Sequence, residues 1–229
     1  MTRNVGFRIF TNVNRPDRAL VDKFAGIPSS NINDEMNRLY CMSACIQPLN
    51  DVPLLGTAIT VKAPIGDNML FHRALDIAQP GDVLVVDGAG TMDRSLAGEI
   101  MIVYAWKRGL AGIVVDGALR DLDGIKKAGI SVYAKGICPQ GPYKNGPGEI
   151  NVPVCCGGVA VLPGDILVGD GDGIVVIRPE DAPEILEKAQ KKLADETKIL
   201  ERYASGDIDE EGHIKRFNQP LEAMGVSYF

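Results

Sequence analysis

The stretch Asp82–Asp121, DVLVVDGAGTMDRSLAGEIMIVYAWKRGLAGIVVDGALRD, decides the fold. Its opening, Asp82–Val86, is a short apolar, β-branched run stopped by Asp87-Gly88, the pattern of a buried strand. Gly88, Gly90 and Thr91 then predict a loop. Leu96, Ala97, Ile100, Met101, Val103, Tyr104 and Ala105 recur at roughly helical spacing, and Gly109 is the stop. Gly112–Val115 reads as a second buried strand, followed at once by Gly117, Arg120 and Asp121. A strand–helix–strand unit favours a parallel pair joined by a right-handed crossover. Open α/β sheets usually bind ligands beyond the carboxyl ends of such strands. The polar residues after each strand therefore gather at one edge, and chemistry is expected there.

Working outward, residues 1–15 read as an irregular arm. Pro16 and Asp17 open a helix through Phe24, ended by Gly26. Ser30 or Asn33 can cap a second short helix that includes Met36, Leu39 and Tyr40. Gly56–Lys62 alternates as a strand, and Asp67–Ala78 is an amphipathic helix. Beyond the central unit come a short helix over 124–128 and a strand over 130–134. Residues 138–149, CPQGPYKNGPGE, carry three prolines and three glycines, a rigid surface loop. Such a loop is either functional or a plain connector. Val152–Leu162 is strand-rich, and Gly173–Ile177 is a last strand. Pro163–Gly171 echoes Pro80–Gly88 as the same turn-into-strand device. A helix starts at Pro179-Glu180-Asp181 and runs to about Ala204, with Ile185, Leu186, Ala189, Leu193 and Leu200 on one stripe. Residues 205–229 read as a polar tail, and the helix before it as a surface for a neighbouring subunit.

Composition narrows the classes. The 229 residues suit one domain with an extension. A net charge of −6 argues against general nucleic-acid or anionic-membrane binding. No apolar run approaches the ~20 residues of a membrane span, and the N-terminus lacks the apolar core of a secretory signal. The five cysteines have no framework spacing, which suits reduced thiols and a cytoplasmic protein. Two histidines and no C-x2-C pairs leave no His-rich or four-cysteine metal site.

Three features carry potential chemistry. If a helix begins at Gly98, the free N–H groups of Gly98, Glu99, Ile100 and Met101 can hold a carboxylate. Arg120 can grip a carboxylate or polarise a keto oxygen. Asp121 and Glu99 are carboxylates that the unit can bring together, and Mg²⁺ is often held by one or two carboxylates plus substrate and water. Each has a plainer reading: a packing glycine, a surface arginine paired with Asp121 or Asp123, and surface charge.

The spacing of Glu99, Arg120 and Asp121 resembles the site motif of the RraA-like family. That family includes divalent-metal 4-hydroxy-4-methyl-2-oxoglutarate aldolases and the regulator of ribonuclease activity A. GTAITV, GDN at 66–68, PGDVLVVDG, VVDGALRD, GPYKNGPGEINVPV and PGDILVGDGDGIVV are similar to its signatures. The resemblance implies an α/β domain of the β/β/α swivelling type over 28–178, after an arm and helix at 1–27 and before a C-terminal helical extension at 179–229. It implies trimers or hexamers with sites between subunits. It implies that the Gly98–Met101 backbone and Arg120 hold a 2-oxo acid, that Asp121 binds Mg²⁺ or Mn²⁺, and that Glu99 orients metal-bound water. The implied reaction is retro-aldol cleavage, or oxaloacetate decarboxylation through the same enolate, with the metal as Lewis acid. The aldolase pattern carries an acid three residues beyond the Asp, where this chain has Gly124, with Asp123 one step early. The alternative is a non-catalytic regulator that docks on a ribonuclease; that branch typically lacks the Asp after the Arg.

Overall fold

In a computed structural model the chain is described over residues 4–229. The elements run β1 (Phe7–Ile9), α1 (Arg18–Val21), a 3-10 turn (Asp22–Phe24), α2 (Ser29–Glu35), β2 (Gln47–Pro48), β3 (Leu54–Lys62) and α3 (Met69–Ile77). Next come β4 (Asp82–Ser95), α4 (Glu99–Lys107), β5 (Gly112–Leu119), α5 (Leu122–Ile125), β6 (Ser131–Ile137) and β7 (Gly148–Ile150). The rest are β8 (Val154–Cys156), β9 (Val159–Val161), β10 (Ile166–Asp170), β11 (Gly173–Ile177), α6 (Ala182–Ala204) and α7 (Glu210–Ala223).

Among the described residues nine strands form one sheet, in the order β1-β7-β3-β4-β5-β6-β2, with β10 pairing both β3 and β11. The centre, β3-β4-β5-β6, is parallel. Its strands are apolar on both faces because both faces are covered. Ile59, Val61, Leu84, Val86, Ile113 and Val115 pack with α3 and α4. Their sequence neighbours Ala58, Val83, Val85 and Val114 face the opposite way, with Val154 and Val161 of the β8–β9 hairpin and Leu167 and Ile174 of β10 and β11. Alternation along each strand thus feeds two cores, and the layers are β/β/α.

Contacts divide the chain into two compact units, one up to Gln190 and one over Lys191–Phe229. The first contains the sheet and the start of α6, where Ala182, Ile185, Leu186 and Ala189 are buried. The second holds the rest of α6 and α7 and has no buried residue.

Four local expectations need correction. The arm is not wholly irregular: Phe7–Ile9 pairs in parallel with Gly148–Ile150; residues 1–3 lie outside the described chain. The second helix begins earlier and ends at Glu35, so Leu39 and Tyr40 lie beyond it. Gly88–Thr91 is not a free loop. Strand β4 continues through it with register shifts, pairing Thr91 with Gly117 and Ser95 with Ala118, because β5 supplies a ladder that the Gly-rich sequence does not announce. The polar tail contains α7, whose first turn is capped by Asp209 Oδ1 accepting from Gly212 N–H at 2.9 Å.

Candidate functional site

The β4–α4 and β5–α5 junctions meet at one corner of the sheet. Gly98 is the N-cap of α4, with extended backbone. Arg120 N–H donates to the Ala97 carbonyl at 3.0 Å and Leu96 N–H to the Ala118 carbonyl at 2.8 Å, so the two junctions are stitched together. A β-carbon on Gly98 would collide with Asp121 Oδ2 and stand 3.0 Å from Arg120 Cγ. Only glycine allows this approach.

Asp121 is the N-cap of α5 and sits in the left-handed region at φ 64°, ψ 46°. Such a conformation costs roughly 1 kcal/mol or more outside glycine and concentrates at functional sites. Its Oδ2 accepts from Glu99 N–H at 3.1 Å and lies 3.7 Å from Arg120 Nε. The other carboxylate oxygen has no hydrogen bond among the described residues. Both side chains are nearly half exposed, at 43% for Arg120 and 45% for Asp121.

The expected backbone anchor is only partly open. Met101 and Ile102 N–H both turn back to the Gly98 carbonyl, at 3.1 and 3.2 Å. Glu99 N–H is used by Asp121. Among the described residues the Gly98 and Ile100 N–H groups carry no partner. The Glu99 side chain does not line the cleft; its carboxylate lies over Gly124.

The cleft encloses about 360 Å³, within the range of small-ligand sites. Gly98, Ile100, Met101, Arg120 and Asp121 line it. So do Asn68, His72 and Lys144, which sequence reasoning did not single out, together with Gly141 and Pro142 of the 138–149 loop. That loop is pinned as a wall. Ser95 N–H donates to Gln140 O at 2.8 Å, and Arg94 Nη1 donates to Gly141 O at 2.8 Å. Asp67 Oδ2 accepts from Asn145 and Gly146 N–H at 2.6 and 3.1 Å. Asn68 Nδ2 donates to Leu96 O at 2.8 Å, while its Oδ1 is buried without a partner. Burial and then Lys144 push the His72 imidazole down from its ordinary range, against the opposing pull of Asp76.

A divalent metal fits this donor set in one form. Among the described residues no three His, Cys, Asp or Glu side chains converge, so a closed protein cage is absent. One half-exposed carboxylate with an unused oxygen suits Mg²⁺ or Mn²⁺, which keep water and take further oxygens from substrate. Ile100 is 87% exposed at the rim.

The sequence matches the RraA-like family model, described as Aldolase/RraA, over residues 29–176. A Halalkalibacterium halodurans protein, provisionally named a 4-hydroxy-4-methyl-2-oxoglutarate aldolase, is 40% identical over 189 residues, covering 82% of this chain and 90% of the relative. The Thermus thermophilus 4-hydroxy-4-methyl-2-oxoglutarate aldolase is 39% identical over 111 residues, 48% of this chain and 68% of the relative. Among solved structures, Streptomyces coelicolor RraAS2, described as an unusual member of the RNase ES inhibitor RraA family, superposes with a TM-score of 0.71 at 29% identity. It covers 83% of this chain and 99% of its own. The domain architecture and the family match agree, and the chain belongs to the RraA-like family.

Proposed function

We propose that the protein is a divalent-metal-dependent lyase of 2-oxo acids. The substrates are 4-hydroxy-4-methyl-2-oxoglutarate-like diacids and oxaloacetate, and the product is pyruvate. The observation that carries the reading is Asp121: left-handed, half exposed, one oxygen unused, beside Arg120 and in front of Gly98. Asp121 would hold Mg²⁺ or Mn²⁺, which when bound supplies Lewis acidity toward the 2-oxo acid.

The chain's own groups do the rest. Arg120 pairs with the carboxylate and keto oxygens, where negative charge grows as the bond beyond the third carbon breaks. The Gly98 and Ile100 N–H groups add dipoles at the same end. In aldol cleavage the electron pair of that bond moves onto the keto oxygen, and the hydroxyl carbon becomes a carbonyl as its proton leaves. In decarboxylation the same pair is released as CO₂ departs. Glu99, whose carboxylate lies outside the cleft over Gly124, would reach the reacting atoms only through water and in that way relay a proton to the third carbon of the enolate. Lys144 and His72 also line the cleft, and the Lys144 ammonium suits a second carboxylate. Ile100, Met69 and Tyr104 are exposed together around a hollow beside the cleft, an apolar patch that supports a homotrimer or hexamer with sites between subunits.

Pyruvate release from oxaloacetate and branched hydroxy-oxo diacids, with and without Mg²⁺, tests the reading. Release that chelator abolishes is expected. Metal-independent release with borohydride trapping of a lysine would replace it with a Schiff-base mechanism. The similarity to RraAS2 favours one rival, a ribonuclease-binding regulator; such a protein is inert toward every 2-oxo acid tried and binds the ribonuclease.

A further inference from the structure

We infer that Gly124 is a positioning residue that reserves the space over the first turn of α5 for the carboxylate of Glu99; the inference rests on the proposed role of Glu99. A β-carbon built on Gly124 would overlap Glu99 Cδ and stand 2.5 Å from Oε2 and 2.7 Å from Cγ. Its own backbone does not call for glycine: it is not among the residues with positive φ, and it lies inside α5. Within a helix glycine is the weaker choice than alanine. What explains it is the side chain overhead.

The consequence is an acid delivered from another element. Gly124 and Ile125 N–H both donate to the Asp121 carbonyl, at 3.0 and 3.1 Å, so this turn is built on Asp121. Glu99 N–H donates to the Asp121 carboxylate. Glu99 is thus tied to Asp121 at its backbone and lies over the turn that Asp121 starts at its tip. Residues three apart on a turn share a face. A carboxylate from position 99 therefore occupies the place that a side chain at 124 would take.

The neighbour is the end of an exposed, flexible side chain, so alanine at 124 displaces Glu99 without breaking the fold. A purely structural glycine and a positioning glycine then predict opposite things. The experiment compares wild type, Gly124→Ala, Glu99→Ala and the double variant in thermal midpoint, Mn²⁺ affinity by electron paramagnetic resonance, kcat and KM. Gly124→Ala is expected to hold or raise the midpoint. It should also lower kcat and Mn²⁺ affinity by about 10-fold, the scale of groups that orient metal ligands, with KM little changed. In the Glu99→Ala background it should change neither kcat nor Mn²⁺ affinity and should raise the midpoint further. Wild-type kcat and Mn²⁺ affinity in Gly124→Ala, or equal losses in both backgrounds, would overturn the inference. If the wild type neither binds Mn²⁺ nor turns over any 2-oxo acid, the functional reading falls. Additive thermal midpoints would then separately remove the contact between 99 and 124.

Discussion

Two sets of carboxylates stand at the carboxyl edge of the parallel strands, and they differ in what surrounds them. Asp87 and Asp116 lie side by side in register on β4 and β5, flanked by Lys62 on β3 and Lys135 on β6. Asp87 is 3% exposed and fully engaged. It accepts from Lys62 Nζ at 2.5 Å, Ala89 N–H at 3.0 Å and Cys155 N–H at 3.3 Å. Asp116, partly buried, accepts from Gly157 N–H at 3.0 Å through Oδ2, while its Oδ1 has no hydrogen bond and only the charge of Lys135 Nζ at 3.7 Å to offset it. These acids seat the β8–β9 hairpin against the sheet. Asp121, a few residues further along the chain, has an open face and an unusual backbone. Buried carboxylates are kept where partners neutralise them, whereas an exposed one held in a costly conformation is available to a ligand. Residue type alone does not separate the two sets; partners and burial do.

Substitutions can break that contrast. The largest effect is expected at Asp121. Asp121→Gly should lower turnover on 2-oxo acids by roughly 10³-fold or more, the scale of losing a catalytic electrostatic group. It should leave the thermal midpoint unchanged or higher, because glycine accepts φ 64° freely. A collapse in stability with turnover per folded molecule intact would reverse the assignment. Arg120→Ala should cost about 10²-fold in kcat/KM, since one charge-assisted contact is lost rather than the site. Asp87→Ala should do the opposite of Asp121→Gly. Chemical denaturation should show a loss of about 2–3 kcal/mol, as buried N–H groups lose their acceptor, with kcat per folded molecule near wild type.

The smallest effect concerns a third acid. Glu149 accepts from Arg8 and from Gly6 N–H, the latter at 3.0 Å, and so ties β1 to β7. The Arg8 hydrogen bond holds its carboxyl below the ordinary range against the opposing effect of burial, with the Gly6 N–H and the Arg8 charge adding to the lowering. The tie is therefore complete above the unfolded value of roughly 4.3 and is lost as pH falls through the lowered folded value. Hydrogen exchange at Phe7–Ile9 should stay protected at neutral pH and open in acid before the central strands do. Arm and core opening together at one pH would argue that the ion pair contributes nothing separable.

Much of the corner is legible in the sequence. The apolar runs at 82–86 and 112–115 and the glycine at 98 suffice to place a strand–helix–strand unit, and its crossover sense brings residues 98 and 120 together. The extension of β4 to Ser95 was not legible, because a Gly-rich polar segment becomes a strand only when β5 offers a partner. Nor were Asn68, His72 and Lys144 as cleft residues. They come from the start of α3 and the Pro- and Gly-rich loop, and only tertiary packing brings them to the cleft that Arg120 also lines. A signal did exist: Asn68 and His72 are four apart at the start of a helix, on one face. Helix α7 escaped because its apolar residues are sparse and its cap, Asp209, sits in an acidic run.

The most direct test of the central claim is Mn²⁺ binding to the wild type and to Asp121→Asn, measured by electron paramagnetic resonance with oxalate as a stand-in for the pyruvate enolate. The expectation is one site per chain that oxalate tightens in the wild type. In Asp121→Asn it should be weakened by about 10²-fold, since the amide carries no charge to offset the dication. Equal affinity in the two proteins, or no oxalate effect in the wild type, would contradict the account.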